Sequence, residues 1–152
     1  MLILRPTSIE EAKIITDIKA RAYNDETRRF GPGRDGGPMG YDSLEENQRI
    51  ITLFENYSII LDKQIIGCFW IHSIEEATAE LEDFCIDPKY HNKGYGYEVL
   101  KLLETLEERY KRWVLTTPYY SVRNQYLYEK VGFKKIGMLE NDFLVLYEKV
   151  LD

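Results

Sequence analysis

The stretch that most constrains this chain is residues 81–106, LEDFCIDPKYHNKGYGYEVLKLLETL, which has the pattern of a strand, a glycine-bearing turn and a helix. The β-rich run of residues 81–87 stops at Pro88, which has no amide hydrogen to give to a strand ladder. Gly94 and Gly96 follow, where the backbone turns sharply before an amphipathic helix. The unpaired N–H groups and positive dipole end of such a helix favour phosphate, so the pattern predicts an anion-binding site.

A second glycine pattern competes with this turn. Gly31, Gly33 and Gly36 match the dinucleotide-binding fingerprint letter for letter. They follow a predicted helix rather than a strand, and they open no helix, so the context that this fingerprint needs is absent. The turn at residues 91–96 lacks the third glycine of the fingerprint, yet it has the strand before it and the helix after it. No GxxxxGK[ST] run is present, which excludes a phosphate-loop NTPase.

Composition narrows the class of partner and the compartment. The formal net charge of −6 argues against nucleic acid or an anionic membrane as the main partner, and mildly favours cationic substrates. Cys68 and Cys85 each lie in an apolar strand-like run, which predicts buried reduced thiols rather than a disulfide framework or a metal site. The N-terminal residues show no cleavable hydrophobic signal, and no apolar run approaches the roughly 20 residues that span a bilayer. We therefore expect a cytoplasmic protein without a metal ion.

Hydrophobic periodicity predicts one α+β domain covering residues 1–152, without internal repeats or linkers. The predicted helices lie at residues 8–23, 43–54, 97–110 and 121–131. The predicted strands are residues 2–5, a three-stranded antiparallel meander between residues 57 and 87, and residues 113–117, 133–138 and 143–150. Ser8 with Glu11 and Ser43 with Glu46 have the spacing of capping boxes. Residues 24–41, rich in glycine and proline, are predicted to be a loop that either faces a substrate or is simply mobile.

Two motifs in the second half of the chain resemble those of a known family. The run IDPKYHNKGYG at residues 86–96 resembles the acetyl-CoA signature of the GNAT superfamily of N-acetyltransferases. The run LYEKVGF at residues 127–133 resembles the second hallmark of that family, at the expected separation. The order of predicted elements also fits nearly the whole chain. The resemblance implies a GNAT-like mixed, mostly antiparallel sheet of about seven strands flanked by about four helices.

The resemblance also implies acetyl-CoA as a co-substrate. Backbone amides of residues 91–97 would cradle the CoA pyrophosphate, and the backbone of residues 84–86 would hold the pantetheine arm and polarise the acetyl carbonyl. The implied cofactor-binding residues are Phe84, Cys85, Ile86, His91, Asn92, Lys93, Gly94, Tyr95, Gly96, Tyr97 and Ser121. His91 departs from the Arg or Gln usual in relatives, which puts a side-chain contact in doubt. Ser121 stands where many relatives have Asn, and a helix cap would also explain it.

Acetyl transfer to an amine needs a neutral nucleophile, a stabilised oxyanion and a proton for the departing thiolate. Tyr128 suits the last task, because a phenol of pKa about 10 stays protonated at neutral pH, whereas a thiol has a pKa of roughly 8.5. Tyr128 also matches the general acid of the family that the motifs resemble. The alternative is a packing aromatic, since the chain has 12 tyrosines.

The general base is sought among the acids of the strand before the signature. Glu80 and Glu82 lie two residues apart and share a face, whereas Asp83 points to the other face unless a bulge intervenes. Relatives often have a carboxylate on this strand that removes the amine proton, and we favour Glu82 for that role. His72 has a suitable intrinsic pKa near 6.5, but only its residue type recommends it. A surface role for each acid, and a reaction without a dedicated base, stay open.

The predicted function is transfer of an acetyl group from acetyl-CoA directly to a primary amine of a small molecule or peptide. Acceptor specificity would come from residues 24–41, the second helix, and Tyr41, Tyr119 and Tyr120. One alternative is a non-catalytic acyl-CoA-binding module in which Tyr128 is buried in the core. Another is a structural domain that has lost the cofactor. Neither nucleic acid nor a membrane is expected as a partner, and a homodimer stays open.

Overall fold

The structure, a computed structural model, describes residues 1–152 as seven strands and four α-helices. The strands are β1 (Leu2–Pro6), β2 (Glu55–Leu61), β3 (Gln64–Glu75), β4 (Thr78–Ile86), β5 (Arg112–Pro118), β6 (Lys134–Leu139) and β7 (Leu144–Val150). The helices are α1 (Ala12–Phe30), α2 (Leu44–Leu53), α3 (Tyr95–Leu106) and α4 (Val122–Val131). Short 3₁₀ turns at Ile9–Glu11 and Pro88–Tyr90 precede α1 and follow β4.

All seven strands form one sheet in the order β1-β2-β3-β4-β5-β7-β6. Every neighbouring pair is antiparallel except β4 and β5, which run parallel. The β4–β5 pairing covers only Thr78–Glu80, after which β4 continues to Ile86 without a partner on that side. The predicted mixed, mostly antiparallel sheet is therefore confirmed, and the sheet opens between its two parallel strands.

The helices cover both faces of the sheet. The larger core packs residues of α3 and α4, such as Val99 and Tyr128, against strand residues such as Phe69. A smaller cluster packs Ile15, Ile18 and Ala22 of α1 against Cys68 and Cys85. Since successive residues of a strand point to opposite faces, neighbouring positions 68 and 69 of β3 place α1 opposite α3 and α4.

The prediction of a loop at residues 24–41 is wrong for residues 24–30, because α1 continues to Phe30. The sequence hides this because the side chains that these last turns bury include polar Glu26 and Thr27, so the apolar periodicity stops early. The Thr27 hydroxyl donates a hydrogen bond to the Tyr23 carbonyl (2.8 Å), so this buried polar group has a partner within its own helix. The loop proper begins at Gly31, where the helix ends.

Local signals in the sequence place most of the other elements correctly, although α3 ends at Leu106, four residues before the predicted end at Tyr110. The Ser43 hydroxyl accepts the Glu46 N–H (3.1 Å), as an N-cap residue should. Asp62 and Lys63 both adopt left-handed φ angles and form the two-residue turn between β2 and β3. Gly132 ends α4 in the same left-handed region (φ 115°).

The two cysteines are cross-strand partners on β3 and β4. Their sulfur atoms lie 3.7 Å apart, and both are buried free thiols, which agrees with the sequence prediction. None of the helices combines the length and the apolar character needed to cross a bilayer.

We predict that Gly67→Ala destabilises the fold. A methyl group at Gly67, on β3, would overlap the Cys85 carbonyl oxygen and the Ile86 backbone of the neighbouring strand. Such overpacking typically costs about 1–3 kcal/mol in the free energy of unfolding, measured by urea denaturation. The control is Gly137→Ala on β6, where an added methyl group meets no atom within 4 Å, and its stability should change by less than about 1 kcal/mol. Equal stabilities of the two variants would contradict this packing account.

Candidate active site

A cavity of about 690 Å³ occupies the opening between β4 and β5. Its walls include residues 81–86 of β4 and 115–118 of β5, and the first two turns of α4. The C-terminal half of α1, the start of α3 and residues 37–39 also contribute. The size lies in the range of small-molecule sites, about 300–1,000 Å³. A ligand in this cavity would therefore meet the unpaired backbone edge of β4.

The glycine turn lies at one end of this cavity. Gly94 has a left-handed φ of 83° and starts α3, whose first internal hydrogen bond runs from the Glu98 N–H to the Gly94 carbonyl (3.2 Å). The N–H groups of Tyr95, Gly96 and Tyr97 therefore have no backbone acceptor. A side chain at Gly94 would point into open space, whereas one at Gly96 would meet Leu127 of α4. The first glycine allows the turn and the second allows α3 and α4 to approach closely.

His91 ties this turn to the end of β4. Its Nε2 atom lies 2.7 Å from the Ile86 carbonyl oxygen. Because a carbonyl only accepts hydrogen bonds, Nε2 carries a proton and donates it. Burial, and then the nearby Arg123 guanidinium, lower the pKa of His91, so the ring is neutral at physiological pH. The side chain of His91 thus supports the loop through the strand that precedes it.

A β-bulge interrupts β4 at Asp83 and Phe84. Cys85 pairs with Cys68, and Glu82 pairs with Trp70, so two residues of β4 lie opposite one residue of β3. Asp83 has a left-handed φ of 49°. The bulge reverses the alternation of faces, so Glu82 and Asp83 both lie on the α1 side. The sequence placed Asp83 on the face opposite Glu82 unless a bulge intervened, and the structure has that bulge.

The Asp83 carboxylate accepts three hydrogen bonds. Its donors are Lys19 Nζ (3.0 Å), Tyr23 OH (2.9 Å) and Trp70 Nε1 (2.9 Å). Burial alone would raise the pKa of Asp83, but the Lys19 ammonium and these donors outweigh burial and hold the pKa below its usual value. Asp83 is therefore ionised at neutral pH, with both oxygens occupied.

Glu82 lies in the cavity wall beside Asp83, in a different electrostatic environment. Unlike Asp83, it has no ammonium, phenol or indole donor. Its neighbour on the same side of the strand is the Glu80 carboxyl group, which hydrogen-bonds to it when one of the two is protonated. Burial, and then the Glu80 carboxylate, raise the pKa of Glu82 to about 8. Glu82 can therefore take up and release a proton near neutral pH.

Tyr128 lies on α4 with 5% of its surface exposed. Its ring packs against Phe84, Phe133 and Tyr147, with ring centroids 6.0–6.5 Å apart. No protein group hydrogen-bonds to its hydroxyl, and Tyr128 forms part of the cavity wall. Burial, and then the Glu26 carboxylate, raise the pKa of Tyr128 above its ordinary value. The phenol is therefore protonated throughout the neutral range.

Comparison with known proteins identifies the family. Residues 19–133 match the model of the acetyltransferase (GNAT) family. This chain belongs to the GNAT family. The matched region contains the bulge of β4, the glycine turn and Tyr128. No curated protein sequence matches the chain significantly.

Several solved GNAT-type structures share the fold over nearly their whole length. An acetyltransferase from Thermus thermophilus aligns with a TM-score of 0.80 at 15% identity, covering 99% of this chain and 97% of that chain. PaiA N-acetyltransferase from Thermoplasma acidophilum, in complex with coenzyme A, aligns at 0.78 with 18% identity over 99% of each. Spermidine N-acetyltransferase from Vibrio cholerae, with CoA and spermine, aligns at 0.73 with 18% identity, covering 98% and 95%. At these identities the likeness shows the fold.

GNAT acetyltransferases use acetyl-CoA, and the cavity fits that co-substrate. The three free N–H groups at the start of α3 can bind a diphosphate, and the free edge of β4 can pair with an extended amide-containing arm. Of the residues assigned from the sequence to catalysis or cofactor binding, all but Lys93 contribute to the cavity wall. The structure contains no cluster of three or more His, Cys, Asp or Glu side chains that could hold a metal ion.

Ser121 and its neighbours form a polar group in the GNAT cavity that the sequence only partly indicated. The Ser121 hydroxyl is fully buried and does not cap α4, so the capping interpretation is wrong. Next to it, Arg123 Nη2 pairs with Glu26 Oε2 (2.8 Å), and both residues also contribute to the cavity wall. The sequence gives little sign of Glu26, because the apolar periodicity of α1 stops before residue 24. The one sequence signal for this ion pair is the opposite charge of Glu26 and Arg123, which lie 97 positions apart.

Only some of the residues expected to bind the acceptor lie at the cavity. Gly37, Pro38, Met39 and Tyr120 contribute to the cavity wall, so part of the glycine-rich segment does face the site. Tyr41 and Tyr119 do not, and neither does any residue of α2. Tyr41 instead donates a hydrogen bond to the Asn24 side chain (2.6 Å) and packs edge-on against Tyr23. These contacts anchor the glycine-rich segment to α1.

We predict that the pKa of Glu82 makes stability depend on pH. An unfolded glutamate ionises near pH 4.3, whereas Glu82 holds its proton to about 8 in the folded state. Between those values the unfolded chain binds fewer protons, so the free energy of unfolding falls as pH rises. Measured by urea denaturation from pH 4.5 to 8.5, the wild type should lose this stability while Glu82→Gln does not. Parallel pH curves for the two proteins would show that Glu82 ionises normally.

Proposed function

We propose that this GNAT acetyltransferase moves the acetyl group of acetyl-CoA directly to a primary amine of a small molecule or peptide. One observation carries the proposal. A single cavity contains the free amides at the start of α3, the free edge of β4, the Tyr128 phenol and the Glu82 carboxylate. These groups could bind a diphosphate, hold a thioester carbonyl, donate a proton and accept a proton.

In this proposal the backbone binds and orients the donor. The amides of residues 95–97 hold the diphosphate of CoA, and the left-handed Gly94 lets the chain approach it closely. The free edge of β4 at residues 84–86 holds the pantetheine arm. An N–H group of this edge donates to the thioester carbonyl, where negative charge develops during attack. Such donors are fixed before the reaction and need little reorganisation.

Proton transfers follow from the two titratable groups. The ionised form of Glu82, whose pKa is about 8, accepts the proton that the amine loses as its nitrogen bonds to the carbonyl carbon. The tetrahedral intermediate then collapses and the carbon–sulfur bond breaks. Burial keeps Tyr128 protonated, and as that bond breaks the phenol gives its proton to the departing thiolate. Tyr128 regains a proton from solvent after CoA leaves.

An amine acceptor is supported by charge and by structural relatives. The whole chain has a net charge of −6. Negative potential of this kind raises the local concentration of cations such as protonated amines. Among the structural relatives, spermidine N-acetyltransferase was solved with spermine and CoA. We carry over to this chain only the class of acceptor, an amine.

One observation favours the second candidate, a non-catalytic acyl-CoA-binding module. Tyr128 is only 5% exposed and belongs to the main core. In such a module the same cavity would bind CoA, and the phenol would serve only as packing.

Release of free thiol from acetyl-CoA in the presence of amines tests the proposed function. Diamines, aralkylamines and peptides with free N-termini are supplied separately at saturating acetyl-CoA. We expect at least one class to give thiol release above the rate without amine, with acetylated product confirmed by mass. Thermal stabilisation by CoA is measured in parallel, because a ligand of the folded state raises the melting temperature. Stabilisation without turnover on any amine would favour the binding module, and neither effect would contradict both.

We predict that Tyr128→Phe lowers kcat by about 100-fold or more, because loss of a general acid typically costs 10²–10⁴. The affinity for CoA should change little, because in the proposed mode CoA is held mainly by backbone groups of the α3 turn and β4. Tyr110→Phe is the matched control. Tyr110 is equally buried, at 5%, but lies outside the cavity wall. A Tyr128→Phe enzyme with the wild-type kcat would remove Tyr128 from the mechanism.

A further inference from the structure

Asp83 adopts a backbone conformation that is unfavourable by itself. Its φ of 49° lies in the left-handed region, which costs a non-glycine residue roughly 1–2 kcal/mol. Such a conformation persists only when the surroundings hold it in place. The pairing of β4 with β3 shows the consequence of this conformation. The bulge at Asp83 turns Phe84 to the face of Tyr128, while Glu82 stays on the face of α1.

The side chain of Asp83 is held from three directions. Lys19 and Tyr23 donate to it from α1, and Trp70 donates from β3. The Lys19 side chain is only 2% exposed and also donates to Asn47 Oδ1 of α2 (2.7 Å). The Asp83 carboxylate thus connects β4 directly to β3 and α1, and Lys19 extends this connection to α2.

These contacts converge where β4 has lost its partner on the β5 side. Pairing between the two strands ends at Glu80, three residues before Asp83. From there to Ile86, β4 borders the cavity, and only β3 continues to hold it through strand pairing. The hydrogen bonds of the Asp83 side chain therefore restrain β4 at the point where its edge toward β5 is free. A displacement at Asp83 would move both this edge and the Phe84 ring that packs on Tyr128.

We propose that Asp83 is a positioning residue for acyl transfer, whose side chain, held by Lys19, Tyr23 and Trp70, fixes the bulge that aims the free edge of β4 at the thioester carbonyl. This inference rests on the proposed function. Asp83 is not the base in this scheme, because Oδ1 accepts from Tyr23 while Oδ2 accepts from Lys19 and Trp70. Its neighbour Glu82 has no such donors and is left for proton transfer.

The decisive variant is Asp83→Gly, because glycine adopts φ 49° without strain but has no side chain to be held. If the contacts of the side chain position the edge, Asp83→Gly should lower kcat by about 100-fold, the loss typical of a displacement near 1 Å. The dissociation constant for CoA should stay within about threefold, because most of CoA contacts the α3 turn in the proposed mode. If only the left-handed backbone matters, the glycine variant keeps the wild-type kcat, and the inference is wrong.

A spectroscopic measurement separates positioning from a merely structural role and requires no acceptor. Acetyl-CoA carrying ¹³C at the carbonyl carbon is bound to the wild type and its variants. A carbonyl that accepts a hydrogen bond is polarised, so its resonance should shift downfield on binding to the wild type. The shift should be lost in Asp83→Gly at saturating ligand. Retention of the full shift in that variant, or no shift in the wild type, overturns the inference.

A second variant protects the test against simple loss of folding. Lys19→Gln with Asp83→Asn removes both buried charges together and keeps hydrogen-bonding groups at both positions, and asparagine tolerates the left-handed region. We expect the double variant to fold, with melting checked by circular dichroism, and to keep both a partial shift and a kcat within about tenfold of wild type. A double variant as inactive as Asp83→Gly, with normal melting, would contradict positioning by these contacts. Failure of the wild type to bind acetyl-CoA would instead overturn the proposed function itself.

Discussion

The architecture of this protein depends on the point at which β4 stops pairing with β5. Backbone N–H and C=O groups inside a sheet must find partners, so a free strand edge in the middle of a sheet is unusual unless something else pairs with it. Here the free edge borders a cavity. The connection from β4 to its parallel neighbour runs through α3, which therefore starts at the C-terminal end of β4. The parallel pair, the free edge and the helix N-terminus thus come from one topological choice, and ligands of α/β sheets commonly bind at such an end.

Two adjacent carboxylates on β4 show how environment sets chemistry. Asp83 is close to an ammonium group and accepts three hydrogen bonds, so its pKa is lowered. Glu82 is partly buried beside the Glu80 carboxyl group and has no cationic donor, so its pKa is raised to about 8. Pairs of acids with pKa values pushed apart are typical of sites that need a fixed charge and a proton acceptor together. The bulge produces this arrangement, because regular alternation would place the two side chains on opposite faces.

Much of the fold could be predicted from local rules. The capping serine at Ser43, the turn at Asp62 and Lys63 and the glycine after α4 each report a backbone conformation that the residue itself favours. The end of α1 could not be predicted in this way. Its last turns bury Glu26, whose partner Arg123 lies on α4, and no apolar periodicity marks a polar buried face. Contacts between residues distant in sequence override local signals there.

In the candidate site, too, some features follow from the local sequence and others from tertiary contacts. The sequence by itself determined the glycine turn, the helix that follows it and the position of Tyr128 in its motif, because these depend on neighbours within a few residues. Only the tertiary structure decided that Asp83 shares a face with Glu82 and that residue 26 reaches the cavity. Each of these needs a partner that is distant in sequence: Trp70 across the strand pair for Asp83, and Arg123 of α4 for Glu26 of α1. The physical reason is that bulges and burial are properties of packed neighbours, whereas turns and caps are properties of the local chain.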